Sequence, residues 1–246
     1  MMFDTTKIGK KIKTARNEKN MTQMDLADAM GISYQAVSNW ERGNSMPDIS
    51  KLSELCRILD LNLDELFGES ESTKTVKKII SDENASITLE ELAEVAPIVT
   101  PKKVEQVLEE NKGTNDSIDM DALIALAPFL DDNYLNEIAE KVSVEHPSQL
   151  VGLAPYLEDD ILNRIALRYA ETIDEGSLDA LIALAPFLEE ETLGQLVDKY
   201  LSLESCDIKN LTGLYPFLSE ETVRKIADRI MKVKDYHALS QIAPFM

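Results

Sequence analysis

One phrase recurs along the chain: LAEVAPIV, LIALAPFL, LVGLAPYL, LIALAPFL, LTGLYPFL and LSQIAPFM. Its prolines are Pro97, Pro128, Pro155, Pro186, Pro216 and Pro244, separated by 31, 27, 31, 30 and 28 residues. A unit of about 30 residues is too small to bury a core alone. Copies of it must stack, which predicts a solenoid of small helical units over residues 86–246.

The register is constant from unit to unit. Leu92, Leu123, Leu150, Leu181, Leu211 and Leu239 stand five residues before each proline. Val95, Leu126, Leu153, Leu184, Leu214 and Ile242 stand two before it. Ile98, Phe129, Tyr156, Phe187, Phe217 and Phe245 follow it directly. After it come inward pairs at helical spacing: Val104/Val107, Leu135/Ile138, Leu162/Ile165, Leu193/Leu196 and Val223/Ile226. Each unit reads as a helix A, a proline break, an acidic turn and a helix B. Proline lacks an N–H and disfavours helical backbone in the residue before it, so it ends or kinks helix A at the same point each time. The last unit stops at Met246 after its helix A. That half unit is expected either to cap the array or to leave Phe245 and Met246 as an edge for a second copy.

The acidic clusters Asp131-Asp132, Glu158-Asp159-Asp160 and Glu189-Glu190-Glu191 recur at the start of helix B, where Ser219 stands in the fifth unit. A single active site does not require such recurrence. Acids at the positive end of a helix dipole explain it. Residues Asp116 to Asp121 lack the central glycine of a calcium loop, and His146 and His237 are isolated. No nucleophile elbow, phosphate loop or dinucleotide fingerprint is present. The sequence therefore predicts no enzyme, no metal and no cofactor.

Residues 1–69 have a different pattern. Ile8, Ile12 and Ala15 form a buried stripe on a first helix, from about Thr5 to Lys19. Thr22 caps a second helix carrying Leu26, Ala27 and Met30, and Gly31 stops it. Ser33 caps a third, with Val37 and Trp40 inward and Tyr34, Gln35, Ser38 and Asn39 outward, and Gly43 ends it. Asn44 to Pro47 reads as a loop ending in proline, which is favoured at the start of a helix, and Asp48 to Leu59 as a fourth helix with Ile49, Leu52, Leu55 and Cys56 inward. Asn62 or Asp64 starts a short fifth helix before Gly68.

Residues 5–67 resemble the helix-turn-helix of the phage-repressor-like (Cro-like, XRE) family. The residues carrying the resemblance are SYQAVSNWERGNSMPD, from Ser33 to Asp48, and the closing LNLDELF. The resemblance implies a five-helix lambda-repressor-like domain that binds double-stranded DNA. It implies that Gln23 bonds a phosphate and that Tyr34, Gln35 and Asn39 reach base edges in the major groove, with Tyr34 alternatively pressing a thymine methyl or a sugar. Gln and Asn each offer a donor and an acceptor in one plane, which matches adenine. Ser33, Ser38, Arg42 and Asn44 are candidate backbone contacts, which position without specifying. Arg16 and Glu41 match a family ion pair joining the first helix to the end of the third. The repeats resemble HEAT-like solenoids in architecture and period only, so they transfer no binding residue.

Residues 70–85 are polar and read as a linker with a turn or two of helix near Thr75 to Ile80. The expected organisation is all-α: a DNA-binding domain at 1–69, a linker at 70–85 and a helical-repeat domain at 86–246.

Charge divides along the same line. Residues 1–69 hold nine Lys/Arg and eleven Asp/Glu, a net charge of −2, out of −20 for the 246 residues. The remaining −18 lies in residues 70–246. Lys7, Lys10, Lys11, Lys13, Arg16 and Lys19 crowd the first helix, a basic surface for phosphates. The acidic remainder repels DNA. Cys56 and Cys206 fit no zinc or redox spacing and read as reduced thiols. The N-terminus lacks an apolar signal core and no run of about 18 apolar residues occurs, so a cytoplasmic protein off the membrane is expected.

These observations lead to a transcriptional regulator, a repressor, acting as a homodimer on a palindromic site. The repeats would dimerise it or capture a protein or peptide. The alternative makes the repeats primary: a scaffold or antitoxin-like partner binder tethered to DNA by its helix pair.

Overall fold

The computed structural model describes residues 3–111, 120–142, 147–204 and 206–246. Every regular element among them is helical. The chain falls into two compact units, Met1–Asp116 with Pro128–Asp131, and Ser117–Ala127 with Asp132–Met246.

The first unit opens with α1 (Thr5–Glu18), α2 (Gln23–Met30), α3 (Tyr34–Arg42), α4 (Ile49–Leu59) and α5 (Leu63–Phe67). Each start carries its own cap. Asp4, Thr22, Ser33, Asp48 and Asn62 each accept a backbone N–H from the first turn that follows. Pro47 ends the loop and precedes the cap Asp48. Ile8, Ile12, Ala15, Leu26, Ala27, Met30, Val37, Trp40, Ile49, Leu52, Leu55, Cys56 and Leu66 are buried together.

The boundary at residue 69 is not where this unit ends. Residues 71–80 form a full helix, α6 (Glu71–Ile80), packed on α4, α5 and the following helix α7 (Leu89–Val95). Its buried face is Ser72, Thr73, Thr75, Val76 and Ile79. Three of those five are hydroxyl residues, which hid the stripe from an apolar count. Their polarity is satisfied locally: Thr73 Oγ1 donates to the Gly68 carbonyl (2.7 Å) and Thr75 Oγ1 to the Glu71 carbonyl (3.2 Å). Lys77 pairs with Asp64 (2.6 Å) and Lys78 with Glu91 (3.2 Å), tying α6 to α5 and α7. The stretch expected as a linker is thus part of the first unit. The unit continues through α8 (Pro101–Asn111).

The second unit contains α9 (Met120–Leu126), α10 (Asp132–Lys141), α11 (Pro147–Leu153), α12 (Asp159–Arg168), α13 (Leu178–Leu184), α14 (Glu190–Leu201), α15 (Glu220–Val233) and α16 (Tyr236–Ile242). In the whole chain all six repeat prolines occupy the middle of a three-residue 3-10 turn: 96–98, 127–129, 154–156, 185–187, 215–217 and 243–245. The backbone accommodates the missing N–H by tightening its last turn. In the fifth repeat helix A is itself 3-10, over Ile208–Gly213, with Asn210 off helical geometry. Asn210 and Gly213 are poor helix formers.

Successive units interlock at two kinds of contact. A Cβ on Gly152 would lie 2.9 Å from the side chain of Ile124, and one on Gly213 would lie 2.9 Å from that of Ile182. Each glycine stands three before its proline and receives the isoleucine four before the preceding proline. The second contact is polar. Asn136 Oδ1 accepts from the Glu158 N–H (3.2 Å), and Asn163 Oδ1 accepts from the Glu189 N–H (2.9 Å). Asn163 also donates to the Asp159 carbonyl (2.7 Å), so both ends of its buried amide are used. Glu105, at the same register in the first unit, accepts from the Asp131 N–H (3.3 Å). At the next such position stands Gly194, which has no side chain to offer. Glu158 and Glu189 are N-caps whose own side chains make no capping bond, so the neighbouring repeat serves the N–H instead. Ser219 caps α15 by itself, accepting from Thr222 (3.1 Å).

Candidate nucleic-acid interface

The turn between α2 and α3 is set by two local devices. Thr22 and Asp25 form a capping box: Asp25 N–H donates to Thr22 Oγ1 (3.1 Å) and Thr22 N–H to Asp25 Oδ2 (2.7 Å). At the other end Gly31 takes φ 61°, a left-handed conformation that stops α2. Ser33 Oγ then accepts from the Ala36 N–H (3.2 Å) and starts α3.

Helix α3 has two sharply different faces. Val37, Trp40 and Glu41 are buried. Ser33, Tyr34, Gln35, Arg42 and Asn44 are exposed, and Ser38 and Asn39 are half-buried. Tyr34 keeps 47% of its surface. Arg42 lies back along the helix. Its Nε donates to the Ser38 carbonyl (3.1 Å) and its Nη2 to Asn39 Oδ1 (2.9 Å).

The buried face holds a three-residue polar network. Arg16 on α1 donates to both Glu41 oxygens, Nε to Oε1 at 2.5 Å and Nη2 to Oε2 at 3.0 Å. A further guanidinium nitrogen donates to the Met21 carbonyl. Gln23, the first residue of α2, donates to Glu41 Oε2 at 2.7 Å. Three helices therefore meet on one carboxylate. Burial by itself pushes the Glu41 carboxyl up. The hydrogen bonds from Arg16 and Gln23 and the charges of Arg16 and Lys13 outweigh it, and the group titrates below its ordinary range. Arg16 is correspondingly held protonated, chiefly by its hydrogen bond to Glu41.

The structure brings Arg16, Glu41 and Gln23 together and spreads Ser33, Tyr34, Gln35, Ser38 and Asn39 over the outer face of α3. It divides the basic residues of α1. Lys7 pairs with Asp4 (3.5 Å), Lys19 with Asp60 (3.4 Å), and Lys11 donates to the Leu66 carbonyl (3.3 Å). Lys10 and Lys13 are exposed and form no ion pair among the described residues. They are the charges of α1 with least to lose in meeting a phosphate.

Gly9 carries a role that the apolar pattern of α1 does not announce. A Cβ there would stand 2.3 Å from the Trp40 carbonyl oxygen and 2.9 Å from that of Glu41. The close approach of α1 to the end of α3 depends on it. Gly43 is required twice over: its φ is 73°, and a Cβ would lie 2.8 Å from Thr6 Cα. A glycine inside a strongly patterned helix was the available signal for Gly9, because it weakens the helix unless something approaches closely.

Among the described residues no group of three or more His, Cys, Asp or Glu is placed to hold a metal. Cys56 and Cys206 are free thiols. His237 is exposed, while His146 and most of the Asp116 to Asp121 segment lie outside the described residues. No helix among the described residues is long and apolar enough to cross a membrane.

Two short helices at a fixed turn, the second with a polar outward face, define a helix-turn-helix module. Residues 12–66 match the family described as helix-turn-helix. The HTH-type transcriptional regulator DicA of Escherichia coli (strain K12) is 34% identical over 93 residues, covering 37% of this chain and 69% of DicA. The uncharacterized HTH-type transcriptional regulator YqaE of Bacillus subtilis (strain 168) is 33% identical over 75 residues, or 29% of this chain. The chain spans 65% of YqaE, a little under two thirds. The chain belongs to the helix-turn-helix family of transcriptional regulators, a non-catalytic class, and within it has the Cro-like (XRE) form. The pheromone receptor Rgg2 of Streptococcus dysgalactiae matches over 97% of this chain and 76% of its own, at 15% identity. The TM-score of that match is 0.23.

Proposed function

We propose that the protein is a repressor that reads operator DNA in the major groove with α3, as a homodimer on a palindromic site. The carrying observation is the outer face of α3. Tyr34, Gln35, Ser38 and Asn39 lie there, and the helix is braced from behind by Arg16, Glu41 and Gln23. Amides and hydroxyls on a rigidly held helix suit base edges. Ser33, Arg42 and Asn44 flank that face as candidate phosphate contacts. Gln23 donates one amide hydrogen to Glu41, which leaves the second for a phosphate oxygen. A single module of this kind covers little DNA, so two copies one helical turn apart, about 34 Å, are expected. The repeats form a HEAT-like solenoid that dimerises the protein or captures a partner.

Selection of bound duplexes from a random library by the intact protein, with the mass of the complex measured, tests this reading. The expected result is a palindromic motif bound by two copies. Enrichment of no motif overturns direct readout, and a lone half-site bound by one copy overturns the dimer.

A second reading makes the repeats the primary element and the helix pair a tether. It is favoured by a row of exposed rings on the repeats.

A further inference from the structure

In the last four repeats the residue after the proline is a large ring left in solvent, whereas Phe129 in the repeat before them is half-buried. Tyr156, Phe187, Phe217 and Phe245 keep 38–41% of their surface. The prolines before them, Pro155, Pro186, Pro216 and Pro244, are exposed as well. Folding does not account for these rings. In the turns of Tyr156, Phe187 and Phe217 the core position is filled by other neighbours: Ala154 and Leu157, Ala185, Tyr215 and Leu218 are buried. The helices A of successive repeats pack on one another, α9 on α11 and α11 on α13, and the helices B likewise, α10 on α12 and α12 on α14. Equivalent positions therefore fall in a row.

The row is edged with carboxylates. Two to four residues after Tyr156, Phe187 and Phe217, at the start of helix B, stand Glu158 and Asp159, then Glu189, Glu190 and Glu191, then Glu220 and Glu221. Glu158, Asp159, Glu189, Glu190 and Glu191 are exposed and form no ion pair among the described residues. Scattered exposed apolar residues need no explanation, but a repeated ridge with a charged rim marks an interaction surface.

We infer that this proline–aromatic ridge docks a cationic polypeptide segment of another protein, one that alternates Lys or Arg with apolar side chains. The inference rests on the reading of the repeats as a partner-binding module. Charge selects the occupant. A second copy would set two acidic rims face to face, since residues 70–246 carry a net −18. Nucleic acid and anionic lipid are repelled for the same reason. A segment with Lys or Arg beside apolar residues meets the rim with its charges and the rings with its carbons.

The test uses the full chain and a fluorescent synthetic dodecapeptide of alternating Lys and Leu, with a Glu and Leu counterpart as control. The expected result is that the basic peptide binds and the acidic one does not. Phe187→Ser with Phe217→Ser weakens binding at least about tenfold. Glu189→Lys with Glu190→Lys weakens it comparably. Far-UV circular dichroism and operator binding stay unchanged in both variants. Three results overturn the inference. The basic peptide fails to bind, the ring-deleted variant binds it as well as the parent, or the ring deletion changes the oligomeric state and so marks a self-interface. Operator binding is measured separately, so its failure in the parent protein would overturn the DNA reading and leave this test intact.

Discussion

Arg16 on α1 and Glu41 near the end of α3 form a bidentate ion pair with both side chains nearly out of solvent, 8% and 2% exposed. The pair fixes the angle at which α3 leaves the core, and Gln23 adds α2 to the same carboxylate. Breaking such a pair from one side leaves an uncompensated buried charge. Glu41→Gln is therefore expected to destabilise the first unit by about 3 kcal/mol. Trp40 is the single tryptophan and is buried beside the pair, so its fluorescence in urea follows this unit alone. An unchanged Trp40 midpoint would show that the pair contributes nothing.

The same carboxylate sets an acid sensitivity. The Glu41 carboxyl titrates below its ordinary range in the folded protein. Its contribution is fully present above the ordinary carboxylate pKa, about 4.3, and is lost as pH falls through the lowered folded value. Stability of the Trp40 transition should fall, below about pH 5, more steeply in the parent than in Glu41→Gln. Parallel slopes would place the acid sensitivity elsewhere.

Two glycines of the module should respond differently to alanine. A Cβ at Gly9 meets the Trp40 carbonyl oxygen at 2.3 Å, and a backbone oxygen cannot rotate away. Gly9→Ala is expected to cost about 3 kcal/mol, the upper range for overpacking. Gly31 has φ 61°, but nothing lies within 4 Å of the place a Cβ would take. Gly31→Ala should cost only about 1 kcal/mol of backbone strain. Equal losses would mean that the close approach of α1 to α3 is not what Gly9 provides.

In the repeats, Asn163→Ala removes the acceptor for the Glu189 N–H and should cost about 1–3 kcal/mol. Hydrogen exchange at the Glu189 amide is the direct readout, and it should accelerate in the variant. Exchange at the parent rate would show that water replaces the asparagine without loss.

The reading of DNA recognition separates two groups of side chains. Gln35→Ala or Asn39→Ala should relax preference at one or two base pairs, worth about 1–3 kcal/mol there. Lys10→Ala or Lys13→Ala should weaken binding to all sequences and lower the salt slope by about 0.9 for each phosphate no longer neutralised. Lys7→Ala, Lys11→Ala and Lys19→Ala, whose side chains already have internal partners, should do less. A base preference that survives Gln35→Ala refutes readout by that side chain.

Much of the first five helices was legible because local chemistry writes it directly. Thr22, Ser33, Asn62, Gly31 and Gly43 stop and start helices through bonds or dihedrals within a few residues of themselves. The repeat register was legible for the same reason, since each proline acts on its own turn. Helix α6 was not. Its buried face is built from Ser72, Thr73 and Thr75 beside Val76 and Ile79. Hydroxyl residues ordinarily mark a linker, and the bonds of Thr73 to Gly68 and of Thr75 to Glu71 make those two fit for burial. The interlock of repeats was half visible: Ile124 and Gly152, like Ile182 and Gly213, alternate in the repeated phrase, but nothing local says that one fills the space left by the other.

By itself the sequence determined where the first five helices begin and end, the period of the repeats and the family of the N-terminal module. These depend on capping bonds, backbone dihedrals and apolar spacing, which act over one to four residues. Tertiary structure alone decided that α6 belongs to the first unit and that Gly9 admits α3. It also decided which lysines of α1 stay free of internal ion pairs and which rings of the repeats remain in solvent. Each of those depends on what arrives from a distant part of the chain, and a side chain's pattern in sequence does not record its neighbour across a packed interface.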